Sequence, residues 1–176
     1  GSRPRARSPK SRRCRPSATS DVSGTQSGTF ICDPSPDHPG WHVWDVTDPA
    51  IFQRAAMGAM LVRTEDDGRH CRLRMEPGRA HANLIGTVHG GVTLSLIDIA
   101  LFASVRFLLG GDAQGAMTLD LSTQFIGGGQ IGQPLDAITE VLRETGRLAF
   151  MRGKVEQDGQ LIAAYSATIR KPSQRT

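Results

Sequence analysis

A chain of 176 residues, 38% hydrophobic and 22% charged, is long enough for one domain with a real core and short for two. Its formal charge of +4 resides at the start: seven of the 21 basic residues fall within residues 1–20 among no acids, leaving 14 basic against 17 acidic residues, a net −3, for the rest. That balance argues against a basic nucleic-acid-binding domain, and three scattered cysteines (Cys14, Cys32, Cys71) with no C-x-x-C pair exclude a disulfide scaffold and a structural zinc site.

Residues 1–29 are Arg, Ser, Pro, Gly and Thr with almost nothing to pack, and are predicted to form a disordered basic tail. No apolar run of the signal-peptide kind occurs there, and reduced thiols fit a cytoplasmic protein. Residues 30–59 read as an N-terminal loop and a short helix, because Asp33-Pro34-Ser35-Pro36 and Pro39-Gly40 break regular structure while Asp48 and Pro49 suit a helix start. A regular domain is expected over 60–171, with a short C-terminal tail at 172–176. Its first hairpin pairs 60–64 with 69–75 across Glu65-Asp66-Asp67-Gly68, with Cys71, Leu73 and Met75 alternating against His70, Arg72 and Arg74.

Residues 76–91 form a glycine-containing loop, and 92–109 is the one long helix candidate. It is apolar almost all round, so other structure must wrap it on most sides. Asp98 and Arg106 within it argue against a membrane span. Gly110-Gly111-Asp112 ends it. Strand patterns follow at 117–125, 135–143, 147–157 and 160–170, expected to meet by hairpins. In the first of these, Met117, Leu119, Leu121, Thr123 and Phe125 oppose Thr118, Asp120, Ser122 and Gln124. The order predicts an α+β domain, an antiparallel sheet curled around one buried helix.

Several catalytic signatures fail on context. Gly127-Gly128-Gly129-Gln130-Ile131-Gly132 matches G-x-G-x-x-G, but a strand pattern follows where a dinucleotide site needs a helix. Pro39 and Gly40 between His38 and His42 prevent the helix that would align those imidazoles on a metal. Attention falls instead on the segment from Asn83 through Gly86 and His89-Gly90-Gly91 to Asp98. Glycines at a helix start expose free N–H groups and the positive dipole end, which suits a polarised carbonyl or an oxyanion. Asp98 is the sole carboxylate of an apolar helix, a setting that suits general-base chemistry. Taken singly, each residue has a plain structural explanation: a tight turn, an Asx turn, a helix-edge carboxylate. The joint spacing points to a site.

Asn83-x-x-Gly86-x-x-His89-Gly90-Gly91 followed by Asp98 resembles the PaaI-like branch of the hotdog-fold acyl-CoA thioesterases, over roughly residues 60–171. The resemblance implies a curved antiparallel sheet wrapped around one long buried helix, and hydrolysis of acyl-CoA without metal or organic cofactor. By the same resemblance Asp98 is the base or nucleophile, and the Gly90 N–H polarises the thioester carbonyl. Asn83 and His89 orient carbonyl or water, and Thr118 supplies a hydroxyl near the carboxylate. Gly91 and the hairpin residues Arg143, Thr145, Gly146, Arg147 and Leu148 resemble the coenzyme A-binding part.

Gly90 and Asp98, eight residues apart on one helix, are separated by about 12 Å. Reacting groups must come within roughly 3–3.5 Å. The expected solution is a homodimer with shared sites, and pairing of dimers is left open. A non-catalytic acyl-CoA-binding hotdog module or sensor is the alternative function, and a hotdog dehydratase a further one. Acyl specificity is not legible at this level. No membrane or nucleic-acid partner is expected.

Overall fold

The computed structural model describes residues 28–111 and 113–172. The expected tail at 1–29 lies outside these apart from Gly28 and Thr29, as do Asp112 and the expected tail at 172–176 apart from Pro172. Thr29 already belongs to the fold. Its N–H donates to the Thr47 hydroxyl, and its carbonyl accepts from the Thr47 N–H.

The helix, α1, spans Gly90–Leu109. His89 caps its N-terminus with the ring, and Gly110 closes the other end in the left-handed conformation (φ 67°) that a side chain would resist. Length and apolar composition would let such a helix cross a membrane. Here it packs within the curve of the sheet, burying Leu96, Ile97, Ala100, Leu101, Ala103 and Val105 against β-strand residues such as Leu73, Met75, Leu135, Met151 and Ile169. The wrapping expected of so apolar a helix is incomplete, however. Gly91 and Leu94 are exposed, and Asp98, Phe102 and Arg106 are only half-buried, forming one open stripe along α1.

Eight antiparallel strands surround it: β1 (Phe30–Ile31), β2 (His42–Val46), β3 (Met60–Thr64), β4 (His70–Met75), β5 (Met117–Phe125), β6 (Leu135–Glu144), β7 (Leu148–Gln157) and β8 (Gln160–Arg170), in the spatial order β1-β2-β3-β4-β6-β7-β8-β5. Two expectations are corrected. Residues 30–59 are not merely a loop and short helix, because β1 and β2 extend the sheet from β3. Prolines confine breaks to 34–40, and His42-Val43-Trp44 beyond them is free to pair. The short helix itself is a π turn at Gln53–Met57, with Asp48 bracing the turn ahead of it through the Ala50 N–H.

The second correction concerns β5, which does not form a hairpin with β6. It pairs with β8 at the sheet edge, and the 126–134 connection returns across the sheet to β6. A bulge at Leu119 also resets the alternation. Thr118 lies opposite Ile169, Leu121 opposite Ala167 and Thr123 opposite Tyr165, so Thr118 shares the helix-facing side with them rather than the polar face assigned by alternation.

The outer face is charged. Arg72 reaches Glu65, Asp136 and Glu156, while Arg63 and Arg74 lie over the Trp41 indole at 4.5 and 4.8 Å. Inside, Tyr165 covers Gly153 and shares a 2.6 Å hydrogen bond with Thr139, satisfying both hydroxyls in the core.

Candidate active site

The loop before α1 is laced from three directions. Asn83 Oδ1 accepts from the Ile85 and Thr87 N–H groups, its Nδ2 donates to Thr87 Oγ1 at 2.8 Å, and Gly86 turns the chain at φ 83°. Asn83 therefore builds the turn, with three of its four hydrogen-bonding positions. His81 Nδ1 accepts from Gly78 N–H, leaving Nε2 to donate to the Ala56 carbonyl, which ties the loop to the π turn. The third support is the glycine-rich connection. Val88 N–H donates to Gly129 O, Thr87 bridges to Gln130, and Gly128 and Gly129 approach Thr87 and Val88 so closely that a Cβ would stand 3.1 Å from Val88 at position 129. The run that mimics a dinucleotide motif is thus a close backbone contact.

Gln157, missed at the sequence level, secures that connection. Buried at the end of β7, it accepts from Gln130 N–H and donates to the carbonyls of Gln130 and Gln133. A lone glutamine in a strand pattern carries no signal of this role.

At the start of α1 the free donors are nearly all used. Gly91 N–H goes to His89 Nδ1 at 2.9 Å, and Val92 and Thr93 N–H groups share the His89 carbonyl. A Cβ at Gly91 would lie 3.0 Å from that imidazole nitrogen, so a side chain there would have to push the capping ring aside by a few tenths of an ångström. The Gly90 N–H meets no acceptor among the described residues. The exposed Phe125 ring lies beside it, 3.4 Å from where a Gly90 Cβ would stand. One unpaired, dipole-backed donor thus sits next to an aromatic wall.

Two turns along, Asp98 is half-buried, and its Oδ1 accepts the Thr118 hydroxyl at 2.7 Å. Its Oδ2 has no partner among the described residues. Asp98 and Thr118 are brought together. Gly90, His89 and Asn83 form a separate group at the other end of the helix segment, about 12 Å away by the helical rise.

The β6–β7 turn lies at the Asp98 end, since Leu148 aligns through Arg170 with Met117, the neighbour of Thr118. Thr145 spends its hydroxyl on Leu148, and the exposed Arg143, Gly146 and Arg147 surround it. Neither Arg143 nor Arg147 forms an ion pair among the described residues. Cys71, by contrast, is chemically quiet: burial pushes its thiol up to about 12. Among the described residues no group of three or more His, Cys, Asp or Glu side chains could hold a metal ion. A concavity of about 540 Å3 between the π turn and the 76–81 loop includes His81 but neither Gly90 nor Asp98.

Residues 85–164, which carry Gly90, Asp98, Thr118 and the β6–β7 turn, match the thioesterase superfamily. Over these residues the chain is similar to the thioesterases, and its fold is the hotdog fold. Human acyl-coenzyme A thioesterase 13 is 27% identical to it over 124 residues, covering 67% of this chain and 83% of the human one. A variant of the phenylacetic acid degradation protein PaaI from Thermus thermophilus superposes with a TM-score of 0.56 at 24% identity, over 70% of this chain and 99% of that one. A Streptococcus pneumoniae thioesterase solved with coenzyme A gives 0.56 at 20% identity, over 65% and 90%. The sheet around α1 is thus the hotdog arrangement, and β1 to β4 lie ahead of the matched residues.

Proposed function

We propose that this protein hydrolyses acyl-CoA, in sites shared between two copies of the chain. The observation that carries the reading is the pairing of two incomplete half-sites on one helix: an unpaired Gly90 N–H, and a Thr118-held Asp98 carboxylate beyond its reach. A second copy with α1 antiparallel brings the Gly90 of one chain to the Asp98 of the other. The open stripe of α1 and the unpaired edge of β5, with Leu94, Met117, Leu119 and Phe125 exposed, support such a partner.

In this reading Asp98 Oδ2 takes a proton from water as the water oxygen adds to the thioester carbon. The carbonyl electrons move onto the oxygen held by the Gly90 N–H. Collapse breaks the carbon–sulfur bond, and the departing thiolate receives the proton from Asp98. A direct attack by Asp98, through a mixed anhydride that water then opens, uses the same atoms. Thr118 keeps the carboxylate oriented, and His89 fixes the helix start by occupying the Gly91 N–H. Arg143 and Arg147 suit the phosphates of coenzyme A. The name of the human relative and the coenzyme A held by the pneumococcal neighbour support this substrate class.

The test is thiol release from acyl-CoAs by wild type and Asp98→Ala. Loss of about 100-fold or more in turnover by a folded variant is expected. Equal rates would remove Asp98 from the mechanism.

A further inference from the structure

A cavity of about 180 Å3 lies further along the open stripe of α1, walled by Phe30, Trp44, Gln53, Phe102 and Arg106. Phe102 is one turn beyond Asp98, about 6 Å along the axis and on the same helix face. The loop leading into β5, and so to Thr118, closes one side of the cavity through Ala113 and Gln114. The opposite wall comes from β1 and β2. Phe30 and Trp44 meet edge to face, with centroids 4.6 Å apart, and Arg106 lies over the Phe30 ring at 5.2 Å. Gln53 Nε2 holds the Trp44 carbonyl from the side.

We propose that this cavity receives the acyl group of the thioester cleaved at Asp98, and that its size restricts this chain to compact acyl groups. The inference rests on the thioesterase reading given above. A dry cavity of roughly 150 Å3 lined by apolar side chains is enough to hold benzene, so a space of this size takes about six carbons or one phenyl ring. Phe30, Trp44 and Phe102 are then specificity-determining residues, two of them supplied by β1 and β2.

The experiment measures binding apart from cleavage, by calorimetric titration of the full chain with S-alkyl-CoA thioethers of increasing length. A buried methylene is worth about fourfold in affinity. Affinity should climb at about that rate per carbon up to about the hexyl compound and then flatten. Phe102→Ala should move the break to longer chains, and Phe102→Trp to shorter ones. A rise that continues unbroken to hexadecyl, a break unmoved in both variants, or thioethers binding no better than coenzyme A would each overturn the proposal. Thiol release from the matching thioesters is run in parallel. Breaks that behave as expected with no thioester cleaved would overturn the hydrolytic reading and leave the pocket standing. Cleavage with an unbroken rise would do the reverse.

Discussion

Thr118, on edge strand β5, donates its hydroxyl to Asp98, on the central helix, at 2.7 Å. The contact exists because the bulge at Leu119 turns Thr118 inward, onto the face it shares with Leu121 and Thr123. It links the strand that would meet a second copy to the carboxylate proposed to do the chemistry. Thr118→Val keeps the shape and removes the donor. Turnover should fall about 10-fold, the scale of one hydrogen bond to a charged group, while thermal stability changes little. Unchanged turnover over the full pH profile would show that Asp98 needs no such support.

The shared site can be tested by complementation. Asp98→Ala and Gly90→Pro chains, the latter lacking the N–H donor, should each be inactive alone. Mixed dimers hold one site with both lesions and one with neither, so activity should return toward half of wild type per heterodimer. Verified heterodimers no more active than their parents would leave both groups acting within one chain.

Gln157 should matter for catalysis at a distance. Its bonds to Gln130 and Gln133 hold the connection on which Thr87 and Val88 rest, immediately before Gly90. Gln157→Leu leaves three backbone groups without partners, so it should lower the melting temperature by several degrees, from about 1–3 kcal/mol. It should also lower kcat about 10-fold more than it changes KM, because the donor for the developing oxyanion is displaced. A loss of stability with kcat untouched would confine Gln157 to the fold.

Acid should unfold the protein partly through its outer face. Burial alone would raise the Glu65 pKa, but hydrogen bonds from Arg72 and Arg63 outweigh it and hold the carboxyl below its usual value. A folded pKa below the unfolded one gives stability that is present above the unfolded pKa, near 4.5, and lost as pH falls through the folded one. Glu65→Gln should therefore lower the melting temperature at pH 7, and the difference from wild type should shrink as pH falls below about 4.5. A constant difference from pH 7 to pH 3 would mean that Glu65 stabilises without its charge.

Local signals were enough for the helix, the 60–75 hairpin, and the strands at 117–125 and 160–170, because each rests on periodicity or turn chemistry within a few residues of itself. The spacing from Asn83 to Asp98 was equally local, and it led to the thioesterase family before any fold was described. Long-range pairing decided the rest. His42-Val43-Trp44 becomes a strand only because the edge of β3 is there to receive it, which overrides the proline and glycine density around it. β5 settles on β8 instead of β6, and a bulge sets which way Thr118 faces, since alternation cannot register one extra residue. Asn83 illustrates the same division at the level of one side chain. Its position in the motif was readable, but its bonds to Ile85 and Thr87 depend on how Gly86 turns the loop. Sequence alone placed Gly90 and Asp98 on one helix and therefore out of each other's reach. Which N–H stays unpaired, and which hydroxyl meets the carboxylate, followed only from strands and loops brought together from distant parts of the chain.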